Sequence, residues 1–292
     1  MTAPALAEQL GPRATRQVRI VSAVCLVVLV GGAVLAVRRL SERGQFDPVL
    51  WEPLTRVAVL RFLLGGLVNT LLAGVLGIGL ALTWGMLLAL GRLSRRRAVR
   101  WLVGGYVEVF RSIPLVLLIA FCALGLPIYG IGLGPLGALV VGLGAYNGAV
   151  LAEIFRAGVL SLDRGQSEAA AALGLGYWSA LFRVVLPQAL RRMVPAITSQ
   201  LVTLMKDTSL GTVAAYEELL RRGRIAGESG YNLLQALFVV AVVYVAMNFT
   251  LSRLAARFDR GRSPVNDPEV QAALSAAGGL QRSRRPPQGR RS

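Results

Sequence analysis

Charged side chains that interrupt apolar stretches are the residues of this sequence best placed to do chemistry. They form three pairs that are close in sequence: Glu108 with Arg111, Glu153 with Arg156, and Lys206 with Asp207. Ionisable groups are costly inside a membrane, so they are expected either to neutralise one another or to line a substrate path. The first two pairs are three residues apart and can meet on one helix face. For Glu153 and Arg156 we favour neutralisation near the cytoplasmic end of a span.

Lys206 and Asp207 differ from the other pairs because adjacent residues on a helix point about 100° apart. They lie about 16 Å into a predicted span, so each needs a partner from another helix or a water-filled path. One arrangement pairs Lys206 with Glu108 and Asp207 with Arg111. The alternatives are direct contact with a zwitterionic substrate and exposure to water alone.

Composition excludes most other chemistry. The chain has 292 residues, of which 54% are hydrophobic, and it contains no histidine. Its two cysteines, Cys25 and Cys122, lie in apolar runs, which argues against a disulfide framework and a metal site. Lys206 is the only lysine and follows Met205, so no Walker A phosphate-binding loop can form. With no serine nucleophile in a recognisable turn either, a membrane enzyme is disfavoured.

The elements that position these residues are predicted to be six membrane-spanning helices. A span needs about 20 mostly apolar residues, and six segments satisfy this: 18–37, 62–90, 101–126, 131–156, 195–213 and 231–252. A secretory signal is the alternative for the first, but its apolar core is long and no clear cleavage site follows. The sequence therefore predicts an all-α integral membrane protein whose first helix is an anchor.

Arginine placement predicts the orientation of the spans. The formal charge of +17 comes almost wholly from arginines between apolar runs and near the C-terminus, a pattern typical of cytoplasmic loops facing anionic lipid rather than of a nucleic-acid-binding face. Both termini are therefore expected in the cytoplasm. The external loop 38–61 conflicts with this rule because it also carries arginines. Residues 1–17 are expected to form a cytoplasmic tail, and residues 256–292 a disordered basic tail.

One apolar segment between the fourth and fifth spans is interrupted where a span would be continuous. It reads GQSEAAAALGLGYWSALFRVVLP over residues 165–187. Asp163 is a good N-cap, Gly174 can supply a C-cap with positive φ, and Pro187 breaks or kinks the second helix. The pattern predicts two short helices joined by a turn on the cytoplasmic surface, and an interfacial loop that only covers lipid is the alternative. An apolar stripe at helical spacing would face a partner: Leu181, Val184 and Val185.

The spacing within this segment resembles the EAA motif of the permeases of ABC importers. Glu168-Ala169-Ala170 is followed after three residues by Gly174, and after nine more by Val184, one further residue and Leu186-Pro187. Other stretches are similar to the polar amino-acid branch of that family, which includes histidine, glutamine and glutamate permeases. These stretches are GLVNTLL (66–72), YVEVFRSIPL (106–115), AYNGAVLAEIFRAGVLSLDRGQSEAA (145–170) and VVLPQALRRMVPAITSQLVTLMKDTSL (184–210).

The resemblance implies a type I ABC-importer transmembrane domain with a five-helix core over 62–255, preceded by one extra N-terminal transmembrane helix at 18–37. It implies that the loop 161–194 couples to ATP-binding subunits, because a rigid helix–turn–helix anchored to two spans can transmit a displacement. The implied coupling residues are Glu168, Ala169, Ala170, Gly174, Val184, Leu186 and Pro187. Candidates for the translocation path are the six charged residues named above, together with Asn147 and Thr208.

The function implied by the resemblance is import of a polar or charged amino acid, with glutamate or glutamine favoured, by a permease in the bacterial cell membrane. The implied partners are a dimer of ATP-binding subunits, a second copy or a homologous permease, and an extracellular solute-binding protein. ATP and magnesium would be bound by the ATP-binding subunits, and this chain would hold no cofactor or metal. The alternatives are an importer of basic amino acids or another small polar solute, and, outside active transport, a passive channel or membrane scaffold.

Overall fold

The computed structural model describes residues 12–260, and the regular elements in that range are helices. The α-helices are α1 Pro12–Glu42, α2 Pro48–Thr55, α3 Val57–Arg92, α4 Arg97–Ser112, α5 Leu115–Ala120, α6 Gly134–Leu160, α7 Arg164–Ala172, α8 Tyr177–Ala180, α9 Leu186–Asp207, α10 Leu219–Ser229 and α11 Leu233–Arg260. Two π-helical segments, Phe121–Gly125 and Leu181–Val185, follow α5 and α8, and two 3₁₀ segments lie at Leu126–Tyr129 and Thr208–Thr212. The predicted tails fall largely outside the described residues.

Four helices are long and apolar enough to cross a membrane, namely α1, α3, α6 and α11. A fifth span is possible if α4 and the segment Leu115–Tyr129 are counted together, but these two are bent by 99° relative to one another. The bend follows from Pro114, because a proline disfavours the helical region for the residue before it. Ile113 accordingly has an extended backbone, with ψ of 130°. The predicted span 101–126 is therefore two helices joined by a bend at Pro114 and not one straight helix.

The predicted span 195–213 falls on the second half of α9 and the 3₁₀ segment after it. α9 begins at Leu186, nine residues earlier than predicted, and is not among the helices apolar enough to cross a membrane unaided. Its charged side chains are the reason: Arg191, Arg192, Lys206 and Asp207. Length and composition thus define four or five apolar helices in the described range, not the six that were predicted.

The centre of the molecule is the pair α3 and α6, around which α4, α5 and α9 are arranged. Small residues allow the two backbones to approach closely. A Cβ atom at Gly85 on α3 would lie only 2.9 Å from the carbonyl oxygen of Gly148 on α6. Leu139, Leu143 and Leu151 of α6 are fully buried in the same core. These contacts fix α6, from which the candidate site extends.

The short helix α10 is attached to the first half of α3. Glu218 is fully buried at its N-cap and accepts hydrogen bonds of 2.7 Å each from the N–H groups of Leu220 and Arg221. The Tyr244 hydroxyl on α11 donates a third hydrogen bond of 2.7 Å to the same carboxylate. Burial raises the pKa of Glu218 above its usual range, although these hydrogen bonds oppose the shift. The N–H of Leu219 also donates to the hydroxyl oxygen of Thr70 on α3, at 3.0 Å.

The predicted external loop 38–61 is shortened to the connection 43–56 between α1 and α3, which lies beside the start of α11. It contains α2, whose Leu50 carbonyl accepts a 2.8 Å hydrogen bond from Asn232. The carbonyl of Gln45, in the same loop, accepts one of 2.7 Å from Gln235. The preceding helix α1 is different, because none of the residues in its apolar window is buried against the rest of the chain.

Candidate coupling segment and intramembrane polar residues

The first half of the predicted helix–turn–helix is α7, and both of its ends are capped as the sequence predicts. The Asp163 carboxylate accepts a 2.8 Å hydrogen bond from the N–H of Gly165. At the other end Gly174 has φ of +79°, and its N–H donates to the Ala171 carbonyl at 2.9 Å. The next N–H, of Leu175, donates to the Ala170 carbonyl at 3.1 Å. This pair of bonds is a Schellman motif, for which glycine is the favoured residue.

The second half of the segment continues as a helix through Pro187, so of the two predicted effects of this proline the break does not occur. α8, the π-helical residues Leu181–Val185 and α9 follow one another without a break, and Leu186 has helical φ and ψ of −62° and −42°. Proline lacks an N–H and removes a hydrogen bond from a regular α-helix. The π-helical turn changes the bonding pattern just ahead of Pro187, where such a loss can be accommodated. The second helix of the segment is thus the beginning of α9.

The predicted apolar stripe also faces the opposite way. Leu181 and Val185 are buried in the chain's own core, with 4% and 8% of their surface exposed, and Val184 is half-buried. The expectation that this stripe contacts a partner is therefore wrong for Leu181 and Val185. A different set is available to a partner: Leu173 is 82% exposed, and the stacked rings of Trp178 and Phe182 are exposed as well. Sequence periodicity missed this face because both faces of the helix are apolar.

The motif residues are only partly accessible. The exposed motif residues are Glu168, Ala169, Gly174 and Pro187. Val184 and Leu186 are half-buried, and Ala170 is buried with 3% of its surface accessible. No atom outside its own neighbourhood lies within 4 Å of a Cβ placed on Gly174. The turn between α7 and α8 therefore presents a smooth outer surface.

Tyr177 attaches this segment, residues 161–194, to the rest of the chain, and Arg192 joins the two ends of the segment. The hydroxyl of Tyr177 donates a 2.6 Å hydrogen bond to the carbonyl of Leu93, which directly follows α3. The guanidinium of Arg95 lies 4.5 Å from the centre of the same ring. Within the segment, the side chain of Arg192 on α9 donates to the Ser161 carbonyl, just after α6, at 3.3 Å and so joins the two ends of the segment. Tyr177 was not predicted, since nothing in the sequence indicated its partner 84 positions away.

These attachments surround a cavity of about 640 Å³ beneath the turn. Its wall is mainly apolar, with Leu162, Leu181 and Val185 among its residues, but Arg95, Asp163 and Glu168 contribute charged groups. Glu168 therefore lies both at the outer surface and at the mouth of this cavity.

Near the same end of the bundle, Glu153 on α6 pairs with two arginines. Its carboxylate bonds Arg156 one turn along the same helix, as the spacing predicts. It also accepts a hydrogen bond of 3.4 Å from Arg92, the last residue of α3. The contact with Arg92 ties α3 to α6 and was not predicted. An acidic residue shared by two arginines neutralises only one of them, so the cluster keeps a positive charge.

The other charged candidates are not brought together. Glu108 and Arg111 are exposed, and Lys206 and Asp207 form no ion pair with either of them within residues 12–260. The proposed pairs Lys206–Glu108 and Asp207–Arg111 are therefore absent. The physical reason is the bend at Pro114: α4 packs against α3 and α6, whereas Lys206 lies at the end of α9.

Lys206 instead lines a cavity of about 750 Å³ between α9, α10 and α11. It is the only charged residue of this lining, whose other polar residues include Ser209, Tyr244 and Asn248. Asp207 is half-buried beside it, and Thr208 is fully buried and donates to the Met205 carbonyl at 2.7 Å.

Asn147 is fully buried in α6 and joins that helix to α9. Its side-chain oxygen accepts a 2.7 Å hydrogen bond from the amide of Gln200, and its own amide donates to the Leu143 carbonyl at 3.0 Å. Gln200 was missed by the sequence reasoning, although a glutamine within an apolar span was itself a signal. Among the described residues, no three His, Cys, Asp or Glu side chains cluster as metal ligands would.

The fold and this segment define a multi-pass helical membrane protein with an exposed helix–turn–helix attached to one end of its central helices. Residues 81–264 match the protein family described as the inner membrane component of binding-protein-dependent transport systems. The chain belongs to this family of bacterial inner-membrane transport proteins.

Several curated proteins are similar over most of the chain. It is 40% identical to the glutamate transport system permease protein GluD of Corynebacterium glutamicum over 225 residues, covering 76% of this chain and 82% of GluD. It is 39% identical to the probable glutamine ABC transporter permease protein GlnP of Bacillus subtilis, over 68% of this chain and 93% of GlnP. The glutamate/aspartate import permease protein GltK of Escherichia coli O6:H1 is 36% identical, over 74% of this chain and 98% of GltK.

Solved structures show the same architecture. The chain is similar to a chain of an amino acid ABC transporter crystallised with histidines, with a TM-score of 0.66 and 28% identity over 71% of this chain and 97% of that one. It is also similar to a chain of the inward-facing methionine ABC transporter MetNI, with a TM-score of 0.59 and 26% identity over 72% of this chain and 100% of that one.

Proposed function

We propose that this chain is the membrane-spanning permease subunit of an ATP-driven importer of a polar or charged amino acid. The observation that carries the proposal is the coupling segment, residues 161–194. Its helix α7 is capped at both ends and leads into the exposed turn at Gly174. Tyr177 bonds the segment to the residue after α3, and Arg192 bonds its second half to Ser161, the residue after α6. A segment held in this way moves with the helices as a rigid body, as a mechanical coupler must.

The proposed complex contains a pair of permeases, two ATP-binding subunits that hold ATP and magnesium, and an external solute-binding protein. One chain offers one coupling segment, so two ATP-binding subunits require a second copy or a homologous permease. The proposed topology has six spans with both termini in the cytoplasm. The length of α3 supports this topology. The helix contacts α10 at Thr70 and adjoins the coupling segment at its last residue, about 33 Å further along the helix. The loop 38–61 then lies outside despite its arginines.

Glutamate or glutamine is the substrate that we favour. The similar proteins GluD, GltK and GlnP have glutamate or glutamine in their names. A basic substrate is the alternative, because the chain is also 35% identical to the arginine transport system permease protein ArtQ of Bacillus subtilis. The Lys206 cavity supports an acidic substrate, because its one charged side chain is a cation. An ammonium group can bind a substrate carboxylate in such a place.

Variants of the turn test the coupling role in the complex reconstituted with its ATP-binding subunits and solute-binding protein. Gly174→Ala forces a side chain into a backbone with φ of +79°, at a cost of about 1–2 kcal/mol, and should lower the uptake per ATP hydrolysed. Glu168→Gln should do the same by removing the exposed charge. Gly176→Ala is the matched control, since its φ is −65° and nothing lies within 4 Å of the new Cβ atom. Unchanged, ATP-independent uptake in the Gly174 and Glu168 variants would favour a passive channel.

The substrate is tested by uptake of labelled glutamate in competition with unlabelled glutamine, aspartate and arginine. Lys206→Gln is expected to raise the KM for glutamate more than that for glutamine, because only glutamate carries a second carboxylate. An equal effect on both amino acids would show that Lys206 does not recognise the side chain of the substrate. Competition by arginine alone would show that the substrate is a basic amino acid.

A further inference from the structure

A basic cavity lies where α3 ends and α4 begins, outside the coupling segment. It has a volume of about 530 Å³. We call it the arginine cavity, and it is lined by Arg92, Arg97, Arg100, Trp101, Gly104, Gly105 and Glu108. Three guanidinium groups therefore surround one space that contains a single carboxylate.

Within the described part of the chain, two of the three arginines of this cavity have no carboxylate partner, and the third shares one. Arg92 shares Glu153 with Arg156, and neither Arg97 nor Arg100 forms an ion pair with any carboxylate in residues 12–260. The Nε atom of Arg92 is buried and has no hydrogen-bond partner. Like charges held together in this way repel one another, so an anion in the cavity would be stabilised.

The beginning of α4 adds further hydrogen-bond donors. Its N-cap position is occupied by Arg96, no side chain caps it, and its first turn contains no acidic residue. The free N–H groups at such an end carry a partial positive charge and favour phosphate groups. Arg97 is the first residue of this helix, so guanidinium and backbone donors occur together.

The arginine cavity lies at the end of a helix that is long and apolar enough to cross a membrane. Arg92 is the last residue of α3, whose length and hydropathy are those of a membrane span. Trp101 and Leu102, next to Arg100, are 78% and 66% exposed, which creates an apolar surface beside the charged groups. Tryptophan is favoured at the level of lipid headgroups. A ligand that suits both surfaces has a phosphate group and acyl chains.

We propose that the arginine cavity binds the phosphodiester headgroup of an anionic phospholipid, from the leaflet on the side of the coupling segment. Two glycines give the cavity its shape. A Cβ atom at Gly104 would collide with the Arg92 guanidinium, so glycine is needed for Arg92 to lie across α4. A Cβ atom at Gly105 would meet nothing within 4 Å, so the cavity is open at that position.

Native mass spectrometry of the purified full-length chain, titrated with phosphatidylglycerol, phosphatidylcholine or inorganic phosphate, tests this site. Phosphatidylglycerol is expected to bind more tightly than phosphatidylcholine at matched acyl chains. Arg97→Gln and Arg100→Gln should each weaken the first bound phosphatidylglycerol about fivefold. Gly105→Leu should also weaken it, because the new side chain fills the cavity without changing its charge. Glycine is the poorer helix former, so this variant is expected to fold.

The matched control is Arg96→Gln, which removes an arginine from the same loop but does not line the cavity. Retained phosphatidylglycerol binding in this variant supports a defined site, whereas an equal loss would show diffuse surface attraction and overturn it. Equal binding of phosphatidylcholine would also overturn it. Binding of inorganic phosphate that displaces the lipid would assign the cavity to a free anion. If Arg97→Gln keeps the lipid but no longer co-purifies with the ATP-binding subunits, the cavity belongs to a protein contact instead.

Discussion

Glu153 is the residue that holds the ends of α3 and α6 together beside the coupling segment. Its side chain and those of Arg92 and Arg156 are between 23% and 30% exposed, so all three charges are partly removed from water. The carboxylate is a hydrogen-bond acceptor for both arginines. In a partly desolvated site such as this, losing the one anion leaves two cations close together.

We expect Glu153→Gln to lower the free energy of unfolding by about 1–3 kcal/mol, because two guanidinium groups lose their charged acceptor. Thermal unfolding of the purified chain in detergent measures the change. Glu52→Gln is the matched control, since it removes an equal charge from an exposed ion pair. The side chains of Glu52 and its partner Arg56 are both more than 60% exposed. Exposed pairs contribute about 0–1 kcal/mol. Equal shifts in Tm for the two variants would contradict a special role for Glu153.

At the scale of elements, the second half of the coupling segment is an extension of α9 rather than a separate insertion. The helical backbone runs from Tyr177 through Pro187 and on to Asp207, with one π-helical segment on the way. Tyr177, at the start of this helix, bonds the carbonyl of Leu93 after α3, so a displacement of the turn reaches α3 and α9 directly. The hydroxyl of Tyr177 is therefore the clearest single connection between the turn and α3.

We expect Tyr177→Phe to leave the fold intact while lowering the uptake per ATP hydrolysed by about two- to tenfold, the equivalent of one hydrogen bond. The ring beneath Arg95 is retained, so packing changes little. Simultaneous measurement of uptake and ATP hydrolysis in the reconstituted complex gives the ratio. Tyr129→Phe removes a hydroxyl from a residue that is 76% exposed and serves as the control. A ratio unchanged by the Tyr177 substitution would show that the bond to Leu93 carries no coupling.

At the scale of the whole molecule, α3 is the axis to which the other parts are attached. α10 contacts its first half, α6 packs along its length, and the coupling segment is bonded to the residue after its end. α1 stands apart from this arrangement because its apolar window buries nothing within the chain. The loop after α1, in contrast, is packed against the bundle. Its helix α2 contacts α11 through Trp51 and Phe238, whose ring centres are 5.9 Å apart.

Removal of residues 2–43 is therefore expected to leave the Tm of the remaining chain almost unchanged. Gln45 and α2 are retained, so Gln235 and Asn232 keep their carbonyl partners. Extending the deletion to residue 56 should lower the Tm, because both side chains lose those partners. Circular dichroism in detergent checks both variants. A large loss of stability on removing residues 2–43 alone would show that α1 has a structural partner.

The sequence by itself determined the helical class, the helix–turn–helix and the relationship to a permease family, and the reason is that these depend on local signals. The Asp163 cap, the positive φ of Gly174 and the motif spacing are properties of a short stretch of chain. The pairing of Glu153 with Arg156 is equally local, since the two are one helical turn apart. Apolar length likewise indicated spans at α1, α3, α6 and α11.

Only the tertiary structure decided which faces are buried and which distant groups meet. Leu181 and Val185 could face a partner or the core as far as periodicity shows, and it is packing against the other helices that turns them inward. The bend at Pro114 separates α4 from α9 and so removes the expected partners of Lys206. The bonds of Glu153 to Arg92 and of Tyr177 to Leu93 join positions 61 and 84 residues apart. Contacts over such separations depend on how helices cross, which no local pattern in a single sequence specifies.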